Sequence, residues 1–303
     1  MNWRLIFVSL ILLVVFSSLF FYLLPTNEVS FNGGTNYTDS NFSFGGSSEM
    51  QYYPKMRFPT PNISYKISGC PLQRANEMEN AFTTLESLTP LSFYSVDNNE
   101  EISITCQDKN QVEGGMFVAG EGGPTQVIVA GDFNVIMSGE ILLIRDSECP
   151  RPNIAIHELL HVLGFIHSQN PANIMYNVSN CDQTIGDDTV NLLNQLYSIP
   201  SSPDLVFGNA SAIMKGRFLS LNLTLLNVGF ADANKSDIAI YTDNNLVRKV
   251  DINPLGIGQG MSLSISNVWI SQLSVNEVEL VIETNFDEIN KENNKIKLEL
   301  NQN

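Results

Sequence analysis

All three histidines of this 303-residue chain lie within eleven consecutive positions, His157-Glu158-Leu159-Leu160-His161-Val162-Leu163-Gly164-Phe165-Ile166-His167. On an α-helix, His157 and His161 are related as i and i+4 and project from one face. Their spacing of about 6 Å is what two ligands of one tetrahedral zinc need. Gly164 can take the positive φ that ends a helix, and that reversal brings His167 toward the same metal as a third ligand. Three protein ligands leave one position of a tetrahedral zinc open, which is the catalytic rather than the structural arrangement. Glu158, beside the first ligand, is placed to take the proton of an acidified water as that water attacks a polarised carbonyl. One catalytic zinc ion is therefore the cofactor these residues imply.

The length exceeds what a single hydrophobic core usually serves, so two domains are expected. With 43% hydrophobic residues and its Gly and Pro spread along the chain, the composition excludes a collagen-like or wholly disordered polymer. Sixteen Lys and Arg against 32 Asp and Glu give a net charge of -16, which repels phosphate backbones and excludes nucleic acid as a partner. The acidic surplus reads as a soluble surface, with steering of cationic peptides as the sharper alternative.

From Leu5 to Leu24 the chain carries no charge, enough residues at 1.5 Å each to cross roughly 30 Å of hydrocarbon. Arg4 precedes this run, and Glu28, Asp39 and Glu49 are the first charges beyond it. Residues 1–24 are thus expected to form an uncleaved single-pass anchor in the cell membrane with its N-terminus in the cytoplasm. The rest of the chain would then lie outside, secreted if the segment were cleaved. Residues 25–54, rich in Asn, Ser, Thr and Gly without periodicity, read as a linker. Four cysteines, Cys70, Cys106, Cys149 and Cys181, form an even set suited to two bridges in an oxidising compartment, with buried free thiols as the alternative. No C-x-x-C spacing supports a cysteine zinc knuckle. Seven N-x-S/T sequons, at Asn36, Asn41, Asn62, Asn177, Asn209, Asn222 and Asn234, agree with an exterior location.

Alternation over Ile63–Ile67 predicts a strand, and Leu72, Ala75, Met78, Phe82 and Leu85 recur at helical spacing. Strand-like runs follow at 91–96 and 102–106, then a Gly-rich loop at 114–124, then runs at 127–130 and 141–144. A helix opens near Pro152-Asn153 and another spans Thr189–Tyr197. Pro200-Ser201-Ser202-Pro203 breaks the composition and separates a domain over 55–200 from one over 201–303. In the latter, alternating runs at 218–226, 237–242, 246–252, 261–268, 278–283 and 296–300 predict an all-β sandwich.

The pattern H-E-x-x-H-x-x-G-x-x-H, followed eight residues later by Met175 within Asn170-Pro171-Ala172-Asn173-Ile174-Met175-Tyr176, resembles the metzincin zinc proteases. Within that group the chain looks most like the matrixins: Ser168 after the third histidine, the helix at 189–197, and Gly114-Gly115 with Ala119 are similar to theirs. The resemblance implies an α+β zincin-like domain, a mixed five-stranded sheet with the zinc helix, and zinc on His157, His161 and His167. It also implies Glu158 as general base, Met175 and Gly164 as supports of the site, and a peptide substrate added along an edge strand near Ile141–Ile144. In that sheet the strands ending near Ile67 and Cys106 run side by side, so Cys70 and Cys106 are expected to bridge. A bridge between Cys149 and Cys181 would hold the loops below the metal. The chain departs from the family in lacking a fourth histidine for a structural zinc and in placing Asn177 where a Pro usually follows. It has no P-R-C-G-x-P switch; Gly69-Cys70-Pro71 is only a faint echo of one. Calcium is left open without any loop motif behind it.

The second domain resembles the Ig-like cell-adhesion-related (CARDB-like) modules through Leu226-Asn227-Val228-Gly229 with Ala231, Tyr241-Thr242-Asp243-Asn244 and Glu288-Ile289-Asn290-Lys291-Glu292-Asn293-Asn294. Such modules are spacers or present a surface to a partner. The expected function is an extracytoplasmic zinc endopeptidase acting on peptides or proteins. The alternative from another class is a surface adhesion or binding protein whose zinc domain does not cleave. A metal-dependent amidase of non-peptide cell-wall material shares every catalytic residue.

Overall fold

A computed structural model describes residues 3–22, 28–33, 50–108, 112–113, 116–146, 149–272 and 274–300. Asn36, Asn41, Asp39, Glu49 and the Gly114-Gly115 pair lie outside the described residues.

Helix α1 covers Trp3–Tyr22. Among the described residues no helix is long and apolar enough to cross a membrane, which corrects the single-pass anchor expected from the run Leu5–Leu24. The membrane partner and the cytoplasmic N-terminus lose their support with the anchor.

The first domain is built on a sheet of β2 (Met56–Arg57), β3 (Asn62–Ser68), β4 (Ser92–Ser95), β5 (Ile102–Cys106), β8 (Gly120–Ala130) and β9 (Phe133–Leu143). A separate two-stranded ribbon joins β6 (Val112–Glu113) and β7 (Met116–Phe117). In the main sheet β2, β9, β5, β3 and β4 follow one another in parallel, and β8 pairs antiparallel with the free side of β9. The sheet has six strands where five were expected, because the two residues of β2 add a short parallel pairing. The expected loop at 114–124 also gives way: Gly120–Pro124 is the first half of β8. Gly131 takes the positive φ (+59°) that a two-residue hairpin loop asks of its first position, and so joins β8 to β9.

Helix α2 (Leu72–Leu88) buries Met78, Ala81, Phe82 and Leu85, the face its spacing predicts, while Leu72 at its first turn is exposed. Helix α3 (Asn153–Val162) is buried nearly all round and shares the core with α2 and with Ile102, Ile104 and Ile141 of the sheet. Helix α4 (Asp187–Tyr197) closes the domain with Leu192, Leu193 and Leu196 in the same core. Cys70–Cys106 bridges the carboxyl ends of neighbouring β3 and β5, with Cα atoms 4.8 Å apart. Cys149–Cys181 joins the approach to α3 with the loop ahead of α4, Cα atoms 5.1 Å apart.

The second domain is all-β: β10 (Leu205–Lys215), β11 (Phe218–Asn227), β12 (Ser236–Thr242), β13 (Asn245–Ile252), β14 (Gly260–Trp269), β15 (Glu277–Glu283) and β16 (Lys295–Leu300). Strict alternation of buried residues with half-buried or exposed ones in β11, and with half-buried ones in β15, puts Leu219, Leu221, Leu223, Val278, Leu280 and Ile282 in its core. An eighth strand comes from the stretch that read as a linker. β1 (Glu28–Gly33) lies between β10 and β16, pairing Glu28 to Lys215 through Gly33 to Ala210 on one side and Phe31 to Leu300 on the other. Phe31 is fully buried in that core, and Lys215 forms a 3.2 Å ion pair with Glu28.

The two domains meet in a small apolar cluster of Ala130, Phe133, Val135, Ile199 and Phe230. Phe133 meets Phe230 edge to face at 4.8 Å. Arg57 is buried beside it, its guanidinium 4.6 Å from the Tyr197 ring centre and 4.1 Å from that of Phe230.

Candidate metal centre

Helix α3 ends in a Schellman motif: Phe165 N–H donates to the Leu160 carbonyl and Gly164 N–H to the His161 carbonyl, both at 3.0 Å. Gly164 holds φ at +94°, and a Cβ there would stand 2.9 Å from Met56 Cβ, so both backbone angle and space call for glycine. The reversal carries the chain back along the helix and delivers His167 to the face of His157 and His161. The three Nε2 atoms converge, 3.0 Å between His157 and His161 and 3.2 Å from each to His167.

The other ring nitrogens define the tautomers. His157 Nδ1 donates to the Ile174 carbonyl at 2.6 Å, and His161 Nδ1 to the Phe165 carbonyl at 2.8 Å. With the proton on Nδ1, the Nε2 lone pairs face inward. Burial pulls the His157 imidazole below its ordinary pKa. His161 is brought down to about 4 by burial and then by His157, and burial lowers His167 as well. Three neutral imidazoles with facing lone pairs suit a cation. Separations of 3.0–3.2 Å are close to the roughly 3.3 Å edge that a tetrahedron of Zn–N bonds near 2.05 Å would show. These residues fit zinc. His157 and His161 are buried while His167 is exposed, so the centre opens to solvent on the His167 side.

Glu158 is 5% exposed, and burial followed by the charge of Glu121 pushes its carboxyl up to about 8. Sequence reasoning did not foresee why. Strand β8 lies directly on it: a Cβ at Gly120 would fall 2.8 Å from Glu158 Cγ, and one at Gly122 only 2.4 Å from the Glu158 carbonyl oxygen. The glycines of 120–122 are thus a consequence of strand-on-helix contact rather than of a turn. β9, named from sequence as the edge, is interior; among the described residues β8 pairs only with β9 and forms the edge above the site.

Met175 is buried at 2% exposure in the turn after the third histidine. Its carbonyl accepts from Ser168 N–H at 2.8 Å, its own N–H donates to Asn173 Oδ1 at 2.8 Å, and the preceding carbonyl, Ile174, holds His157. Below it, Asn153 Nδ2 donates to the Asn180 carbonyl at 2.8 Å beside the Cys149–Cys181 bridge. Sequence reading also missed Tyr52, whose hydroxyl stands 3.1 Å from His161 Nδ1. Burial, then the charge of Glu158, raises the pKa of that phenol. Nothing local to Tyr52 signals this, since the contact spans 109 residues.

In comparison with known proteins, residues 57–198 match the Matrixin family model and residues 202–297 match the CARDB model. No curated protein matches the chain. The chain therefore carries a matrixin-like domain followed by a CARDB domain, the two-part resemblance drawn from its motifs.

Proposed function

We propose that this chain, with its matrixin-like domain, is a zinc-dependent endopeptidase that works outside the reducing cytoplasm. The observation that carries the reading is the convergence of three neutral imidazole Nε2 atoms beside a buried carboxyl, on a centre open to solvent. Two disulfides support the oxidising compartment.

His157, His161 and His167 would hold the metal. When bound, zinc supplies Lewis acidity, polarising a carbonyl and bringing water toward neutral pKa. Glu158 is the general base: its carboxylate takes the proton of the attacking water and returns it to the leaving amine nitrogen. An extended peptide would add to the open side of β8, where Gly122 and Gly123 bring backbone rather than side chains to the ladder. The Ile174 and Phe165 carbonyls orient the first two ligands. Met175 supports the site by holding Ser168, next to the third.

The test is zinc content together with cleavage of a random peptide library by the chain and by Glu158→Gln. One zinc per chain, with cleavage lost in the variant, is expected. Zinc without cleavage by the parent chain would move the reading to a binding protein or to a non-peptide amide, and no zinc would end it.

A further inference from the structure

We propose that Tyr52 is a positioning residue of the metal centre, acting through His161; the inference rests on the zinc reading above and deepens it. Tyr52 lies ahead of the segment that the Matrixin model covers, so the match assigns it no role.

The residues around it form a strap. Tyr52 N–H donates to the Gly164 carbonyl at 2.9 Å, and Ile166 N–H donates to the Met50 carbonyl at 2.9 Å. Between them Gln51 forms an antiparallel bridge with Phe165. Gln51 is itself buried, its side-chain amide closing a two-way pair with the backbone of Met56: Nε2 donates to the Met56 carbonyl at 2.9 Å and Oε1 accepts from Met56 N–H at 3.0 Å. Met56 in turn fills the space beside Gly164. The strap is therefore held at both ends, and it lies on the turn that carries the chain from His161 to His167.

From this strap the Tyr52 hydroxyl reaches His161 Nδ1 at 3.1 Å, with ring centres 6.2 Å apart. The Nδ1 proton is already directed at the Phe165 carbonyl at 2.8 Å, so the phenol oxygen is its second acceptor. Two acceptors from different directions pin the ring about its Cβ–Cγ bond and keep the proton on Nδ1. The Nε2 lone pair is then aimed at the shared centre before any ion arrives. His157 has the Ile174 carbonyl as its Nδ1 partner.

The experiment uses the full chain, its Tyr52→Phe variant, which keeps the ring and removes the oxygen, and Tyr52→Leu, which removes both. Zinc affinity is read by chelator competition, the Co2+ absorption spectrum reports ligand geometry, and melting of the zinc-free proteins reports the strap. Partner groups of metal ligands are worth about 10–100-fold in affinity, and Phe165 retains part of the restraint, so about a tenfold loss is expected for Tyr52→Phe. A shifted Co2+ band and an unchanged zinc-free melting temperature should accompany it, with a larger loss in Tyr52→Leu. Unchanged affinity and spectrum in Tyr52→Phe overturn the proposal while leaving the zinc reading intact. So does a loss matched by a lower zinc-free melting temperature, which would make Tyr52 merely part of the packing. A parent chain that binds neither zinc nor Co2+ overturns both.

Discussion

Gly122 passes so close to Glu158 that a Cβ on it would stand 2.4 Å from the Glu158 backbone oxygen. The edge strand and the helix bearing Glu158 are thus in backbone contact, with no side chain between them. Gly122→Ala must push β8 away from α3. Overpacking of this kind costs about 1–3 kcal/mol, and moving the edge strand should lower cleavage well beyond that loss. Gly123→Ala, whose Cβ meets nothing within 4 Å, is the matched control for packing and should melt as the parent does. Parallel melting curves and kcat/KM for the two variants decide the point; equal behaviour would mean that the strand does not rest on the helix.

Phe31 belongs to the second domain although it precedes the first. It is fully buried in the sandwich core between β10 and β16. Phe31→Ala should therefore cost about 3–5 kcal/mol. Calorimetry and hydrogen exchange should place that loss in strands β10 and β16 and leave the histidine centre protected. A fragment beginning at residue 50 should show the same selective weakening. If exchange in the sandwich is unaffected by either change, the strand is not part of it.

Much of the metal centre is legible in sequence because its determinants are local. The i, i+4 pair, the glycine that reverses the chain and the third histidine all fall in one window, and the Schellman hydrogen bonds close within it. What escaped reading depends on distant partners. Gly120–Pro124 carries the local chemistry of a loop, and only contact with α3 explains its glycines in a strand. β1 offers too few alternating residues to be recognised, and its partners lie at 210–215 and 299–300. The order of strands in a sheet is likewise not written in any one of them, so the sequence points to β9 for the edge that β8 supplies. Hydropathy alone predicts a membrane anchor over the N-terminal run, whereas among the described residues no helix is long and apolar enough to be one.

Asp204, 7% exposed at the start of the second domain, has its carboxyl pushed up to about 6, mainly by burial. Asn293 Nδ2 donates to it, which lowers its pKa, while nearby Glu288 raises it. Its folded pKa lies above the ordinary 3.8, so the folded state holds the proton longer than the unfolded chain does. The contribution is therefore complete below about pH 3.8 and is lost as pH rises through about 6. Urea unfolding of the second domain across that range should show a falling component that Asp204→Asn removes. A variant with the same pH slope as the parent would show that this carboxyl titrates normally.

Arg57 joins the two domains without a carboxylate partner among the described residues. It is 1% exposed, and its Nη1 donates to the Leu196 and Ile199 carbonyls at 2.6 and 3.0 Å. Nε donates to the Phe58 carbonyl at 3.0 Å, and Nη2 to the Pro59 carbonyl at 3.1 Å and to Ser201 Oγ at 3.0 Å. Burial brings its pKa down to about 10, which still leaves it charged at neutral pH. The guanidinium therefore satisfies the Leu196 carbonyl in the last turn of α4 and the Ile199 carbonyl just beyond it while its faces lie against Tyr197 and Phe230, so one side chain terminates the first domain and seats the second. Lysine keeps the charge but has neither the planar fork nor the stacking face. Arg57→Lys should then lose at least two charge-assisted bonds, about 3 kcal/mol or more, and strand carbonyls that remain buried. Because the loss falls at the junction, the two domains should unfold in more widely separated calorimetric transitions, while zinc affinity of the folded protein stays near that of the parent. A single transition at the parent temperature would mean that the Arg57 contacts contribute nothing to the coupling.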